Sequence, residues 1–201
     1  WPALFKIDAG AEAQAIERAK PDAIYNVTFG GDLAKFGREG GTRGLFEGRN
    51  VYGLLSGEPE YMDPLGDEAP EGWIVTGYPW SEITEGSGKV SVDAYMAKYD
   101  DHPRIGSLVG YMTVQSIVAV LEKAGSTDSE AIRAAFADLP VSTPVGDIKF
   151  RSQDHQATMG AYVGTIALKD DKGTLESWVY KDGADYTLSD EEVMKLRGSG
   201  N

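Results

Sequence analysis

The stretch Gly72-Trp-Ile-Val-Thr-Gly-Tyr-Pro-Trp80 decides how this chain is organised. An apolar run with strand character ends there in Gly77-Tyr-Pro-Trp80, just where the periodicity changes. Before it, short strand patterns alternate with short helical ones; after it come three longer helical patterns in succession. A chain crossing between two bodies at such a point fits a clamshell binder better than a single compact enzyme.

Upstream, Gly10 to Lys20 carries Ala11, Ala15 and Ile16 at helical spacing and is stopped by Pro21. Ala23-Ile-Tyr-Asn-Val27 predicts a strand, and Phe29-Gly-Gly-Asp32 a turn with Asp32 as helix N-cap. Leu33 and Phe36 mark one face of a short helix that dissolves at Gly40-Gly41. Val51 to Leu55 and Trp73 to Thr76 are the next strands. Strands separated by helix-length segments pair in parallel through right-handed crossovers, so the expected class is α/β.

Downstream, Val92, Tyr95, Met96 and Tyr99 recur at i, i+3, i+4 and i+7, an amphipathic helix. Ser107 to Ala124 predicts a longer helix with Tyr111, Val114, Val118 and Leu121 on its buried side and Gly125 as its stop. Thr127-Asp-Ser-Glu130 reads as a capping box before Ile132, Ala135 and Phe136. Thr143 to Phe150 predicts a turn and a short strand. Gly160 to Leu168, the turn Asp170-Asp-Lys-Gly173 and Leu175 to Tyr180 predict a hairpin, and Ser189-Asp-Glu-Glu192 caps a last helix.

Composition narrows the function classes. With 41% apolar residues the chain can build a core, and 32 acids against 19 bases leave a formal charge of −13. That acidity excludes nucleic acid as the expected partner, because phosphate binding needs a basic surface. With no cysteine, disulfides, thiolate catalysis and Cys-ligated zinc are excluded. No apolar run reads as a membrane span, and no secretion signal opens the chain. Its start on Trp1-Pro2 reads as that of a mature or trimmed product.

Catalytic signals are thin. His102 in Asp100-Asp-His-Pro-Arg104 and His155 in Gln153-Asp-His-Gln156 lie in polar loops without a second histidine at i+3 or i+4. The glycine-rich run Gly37 to Gly44 ends a helical pattern and lacks the Lys-Ser/Thr of a phosphate loop. Paired acids such as Glu58 and Glu60, or Asp67 and Glu68, are common in so acidic a chain. The expectation is no catalytic residue, no metal and no cofactor.

Binding signals are stronger. In open α/β sheets, ligands sit in the loops after the strands. Those loops here are Thr28 to Asp32, Ser56 to Glu60 and Tyr78 to Trp80. They offer an aromatic wall of Phe29, Tyr78 and Trp80, the hydroxyl of Ser56, and the Glu58 carboxylate for an ammonium group. Apolar walls with a few placed polar groups are typical of small-molecule sites.

The order of several stretches resembles the C-terminal portion of the periplasmic substrate-binding proteins of branched-chain-amino-acid-type ABC transporters. They are Pro21-Asp-Ala-Ile-Tyr25, the Gly72 strand, Gly110 to Ser116, Lys123 to Asp128, Ile132 to Phe136 and Thr143 to Phe150. The resemblance runs from about Lys20 to Tyr180. It implies three-layer parallel-sheet lobes of a type I periplasmic binding protein, with an N-terminal segment missing. Residues 1–78 and 160–201 would form a partial C-terminal-type lobe, and 79–159 a segment of the other.

The resemblance further implies capture of a small amino acid or a carboxylate-bearing ligand between the lobes, in a periplasmic or extracellular setting. Delivery would be to the membrane permease of an ABC transporter. Phe29 stands where amino-acid binders often carry tyrosine, which makes an aromatic ligand equally plausible. Glu58, or Glu60 beside it, stands near the family's ammonium-receiving acid. Two rivals are a ligand-sensing domain of a receptor or amide-type regulator, and a hydrolase using Glu58 or His155. With part of the fold absent, self-association of the fragment is expected.

Overall fold

The structure, a computed structural model, describes residues 3–197. In chain order the helices and strands run α1 (Ala9–Ala19), β1 (Ala23–Asn26), α2 (Gly30–Thr42), β2 (Asn50–Gly53), α3 (Pro59–Leu65) and β3 (Ile74–Thr76). They continue with α4 (Gly86–Tyr99), α5 (Ile105–Ala124), α6 (Ser129–Ala135), β4 (Leu139–Thr143), β5 (Gly146–Phe150), β6 (Ala161–Lys169), β7 (Lys172–Lys181) and α7 (Asp190–Arg197). The chain divides into two units, Trp1–Glu82 with Tyr162–Tyr180, and Ile83–Ala161 with Lys181–Asn201. Residues 181–197 fall in the second of these units. The Asp190 carboxylate pairs with Arg151 at 2.6 Å, and Arg197 donates to the Gln153 carbonyl at 3.4 Å.

The first unit is built on a five-stranded sheet ordered β1-β2-β3-β6-β7. The first three strands are parallel and β6 runs antiparallel to β3, giving a mixed, parallel-dominated α/β sheet. Each short strand alternates buried and exposed residues. Ile24, Val51, Val75 and Ile166 pack with Ala13 of α1, Leu33 and Phe36 of α2, and Met62 and Leu65 of α3. Trp73 lies at the centre of this core, its ring edge-on to Phe46 at 4.7 Å. Within these residues the unit has two layers, helices on one face of the sheet, and the other face stands open.

Several local readings change. Ala13, not Ala11 or Ala15, is the buried alanine of α1. Helix α2 starts at Gly30 with Phe29 as N-cap and runs through Gly40-Gly41 to Thr42. Gly40 is needed there, because a Cβ would meet the Phe46 ring. Asp32 is no cap: its buried carboxylate accepts the N–H groups of Phe5 at 2.7 Å and Ile7 at 3.4 Å. It thereby ties the N-terminal segment to α2. Asp32→Ala leaves both donors unpaired and is expected to cost about 1–3 kcal/mol, read from the urea midpoint. Helix α3 takes up Pro59 and Glu60, the end of the expected Ser56-to-Glu60 loop; Pro59 begins it, where the missing N–H costs nothing.

In the second unit, α5 packs on α6 and on β4, which pairs antiparallel with β5. The inward residues of α5 are Leu108, Met112, Ser116 and Val120. The expected inward stripe of Tyr111, Val114, Val118 and Leu121 is exposed instead. On α4, Val92 is buried but Met96 and Tyr99 are exposed. Asp128 caps α6, accepting from the N–H groups of Glu130 and Ala131. The Ser189 box on α7 forms as read, with Ser189 N–H donating to Glu192 at 2.9 Å and Glu192 N–H to Ser189 at 3.3 Å. Helix α5 is long and apolar enough to cross a membrane by length and composition, contrary to the sequence reading.

Candidate functional site

The three loops singled out from sequence leave the C-terminal ends of β1, β2 and β3 and meet in the first unit. Their framework is polar. Asn26, the buried last residue of β1, accepts from Thr28 through its N–H at 3.1 Å and its hydroxyl at 2.7 Å. The Asn26 amide in turn donates to the Ser56 hydroxyl at 3.4 Å. Ser56 fits because its β2 neighbour is Gly53, where a Cβ would meet the serine side chain. The Leu55 N–H donates to the Thr76 hydroxyl at 2.8 Å and the Gly57 N–H to the Thr76 carbonyl at 3.0 Å, locking the second loop to β3.

Glycine sets the closest approach. A Cβ on Gly77 would meet the carbonyl and Cα of Gly57, so the second and third loops touch backbone to backbone. That contact brings Tyr78 under Glu58, whose carboxylate accepts the Tyr78 N–H. Glu58 is only 4% exposed, and its Oε2 has no hydrogen-bond partner within the chain. Burial, followed by repulsion from Glu60, pushes its carboxyl up from 4.5 to about 8. At neutral pH Glu58 therefore holds a proton unless a cation arrives to stabilise its charge.

The aromatic wall is divided. Phe29 is 41% exposed, with its ring edge-on to Phe5 at 5.8 Å. Tyr78 is buried, 6.1 Å from Tyr162 between ring centroids, so it belongs to the core rather than to an open wall; burial raises its hydroxyl pKa. Trp80 is half-buried in the turn Trp80–Glu82 and lines, with Tyr78, Pro59 and Asp63, a recess of about 30 Å³. Ser56, Glu58 and Tyr78 are thus brought together, with Trp80 at their edge and Phe29 on the first loop.

Sequence reading missed Asn26, Thr76 and the Gly57–Gly77 contact. Asn26 carried a usable signal, since a polar residue at a buried strand position needs a partner. Of the histidines, His102 Nδ1 lies 3.3 Å from Asp101 and His155 packs near Phe136. Among the described residues no group of His, Asp or Glu is arranged to hold a metal ion.

A family model described as "Periplasmic binding protein" matches residues 3–174. No curated protein matches the chain. Among solved structures it is similar to the leucine-, isoleucine-, valine-, threonine- and alanine-binding protein of Brucella ovis in its closed conformation. The identity is 20% and the TM-score 0.78, over 94% of this chain and 50% of that one. It is also similar to an amino acid ABC transporter substrate-binding protein of Pseudomonas fluorescens Pf-5, with 19% identity and TM-score 0.74 over 90% and 50%. A third is an ABC transporter solute-binding protein of Rhodopseudomonas palustris HaA2 in complex with p-hydroxybenzoic acid, with 16% identity and TM-score 0.73 over 95% and 52%. The chain spans about half the length of these structures, and at such identities the likeness is one of fold.

Proposed function

The chain belongs to the periplasmic binding protein family, and from that premise we propose that the whole protein is the extracytoplasmic solute-binding component of an ABC importer. It captures a small amino acid or an aromatic carboxylate and hands it to a membrane permease. The observation that carries this reading is Glu58, a buried carboxyl with an unpartnered oxygen where three strand-end loops converge. Such a group is costly to ionise alone and gains most from an incoming ammonium. Trp80 supplies apolar surface at the edge of the recess it lines with Tyr78, and Ser56 a hydroxyl, while Phe29 offers an exposed ring on the first loop. That proteins of this fold are named for leucine-type amino acids in one case and bound to p-hydroxybenzoic acid in another supports both ligand classes.

The mechanism is binding and release. A ligand bridging two lobes favours the closed form by its differential affinity for it, and the permease reads that form. No bond in the ligand is made or broken.

Glu58→Gln separates the two ligand classes. By calorimetry on the full-length protein, the variant is expected to bind an α-amino acid about 10- to 100-fold more weakly, the worth of a charge-assisted hydrogen bond. Benzoate affinity should stay within about threefold, since no ammonium is lost. Equal losses for both classes would show that Glu58 does not receive an ammonium group.

A further inference from the structure

Glu58 carries a charge that its surroundings do not balance. Its side chain is buried, it accepts the Tyr78 N–H, and its Oε2 has no hydrogen-bond partner among the described residues. The titratable groups around it are acids and phenols. Glu60 follows it at the start of α3, and Asp63 on the same helix lines the recess that Tyr78 also lines. Tyr162 of β6 stands against the Tyr78 ring. From β7 the recess receives Gly173, Thr174 and Leu175, none of which titrates, and the Asn26–Ser56 pair on the β1 side is uncharged. No lysine, arginine or histidine among the described residues is paired with Glu58.

A buried carboxylate without a counter-charge escapes its cost by holding a proton. Burial and then Glu60 both act in that direction. An incoming ammonium reverses the balance, because it brings the missing positive charge together with an N–H for Oε2. Paired and hydrogen-bonded, the charged carboxylate becomes the favoured form.

Resting on the reading of the site given above, we propose that capture of an α-amino acid expels the proton of Glu58, so that the protein trades one proton for one ligand ammonium and holds its ligand less tightly as the medium acidifies. The Glu58 O–H bond breaks, its electron pair stays on the carboxylate and the proton passes to solvent. The ligand keeps its own ammonium protons. A carboxylate ligand without an ammonium, such as benzoate, offers Glu58 no counter-charge and leaves its proton in place. The two ligand classes thus differ in proton stoichiometry as well as in affinity. The sign follows from the empty site, whose carboxyl lies at about 8. Below that pH the empty protein carries the proton and the loaded protein does not, so binding weakens by about tenfold per pH unit of acidification. Above it no proton is left to expel, and the dependence ends.

Calorimetry on the full-length protein counts the protons. The standard L-α-amino acids and benzoate are titrated near pH 6.5 in buffers of different ionisation enthalpy, and the change in measured heat with that enthalpy gives the number released. The proposal expects about one proton per bound amino acid, none with benzoate, and none in Glu58→Gln. On the parent protein alone, it expects amino-acid affinity to fall about 100-fold between about pH 8 and about pH 6. That second measurement decides the matter even where the variant binds too weakly to titrate. Amino-acid binding with no proton release, or with a flat pH profile, overturns the proposal and leaves the solute-binding reading in place. Release that persists in Glu58→Gln also overturns it, by assigning the proton to another group. If no amino acid binds, the proposal falls; if benzoate fails as well, the proposed function falls with it.

Discussion

A Glu58→Gln protein is expected to be more stable than its parent at pH 8.5 and to match it near pH 4. Burial and then Glu60 push the folded carboxyl from 4.5 up to about 8. The unfolded chain releases that proton near the ordinary value. Between the two, the native state binds more protons than the unfolded state, so parental stability falls as pH rises. The contribution of the neutral carboxyl is complete below the ordinary carboxylate range and is gone once the pH passes about 8. At about 1.4 kcal/mol per pH unit, the loss across this window is on the order of 3–5 kcal/mol. Glutamine is neutral throughout and keeps an acceptor for the Tyr78 N–H. Urea midpoints taken from pH 4 to pH 8.5 should therefore diverge, with the parent falling and the variant flat at this site. Parallel curves would mean that Glu58 is ionised in the folded protein.

Gly77→Ala is expected to destabilise the first unit by about 3 kcal/mol and to abolish ligand capture, because overpacking against rigid backbone has no cheap relaxation. The new Cβ would meet the Gly57 carbonyl. Relief requires the second loop to leave the third, which breaks the Gly57 N–H bond to Thr76 and withdraws Glu58 from the Tyr78 N–H. Gly31→Ala is the matched control: on α2 no atom lies within 4 Å of its Cβ position. There alanine's helix preference should add about 0.5–1 kcal/mol. Comparable losses at the two positions would remove the Gly57–Gly77 contact as the device that positions the site.

The parts of the fold legible in sequence were those fixed by local pattern. Strand alternation in Ala23–Asn26 and Asn50–Gly53, the Pro21 stop and the Ser189 box all express chemistry contained within a few residues. The misreadings have a shared cause, since each turned on a partner distant in sequence. Asp32 looked like a cap because nothing local showed that the N–H groups of Phe5 and Ile7 would reach it. Gly40-Gly41 looked like a helix end because the packing of Phe46 on Gly40 is not visible in the periodicity.

Helix α5 is the clearest case. Its sequence is apolar on both sides, so periodicity alone could not choose which stripe packs within this chain. The rule that loops after strands carry ligands singles out Ser56, Glu58 and Trp80, and their part in binding is what we propose. Tyr78 obeyed the same rule in position but turned its ring into the core against Tyr162.

The central claim is that this protein binds a small solute and leaves it unchanged. Its most direct test is equilibrium titration of the full-length protein with a panel of α-amino acids and benzoates, followed by mass spectrometry of the recovered ligand. The account predicts saturable one-to-one binding of a compound from one of these classes, returned intact after release. Failure of every carboxylate in the panel to bind, or recovery of a chemically altered product, would contradict it.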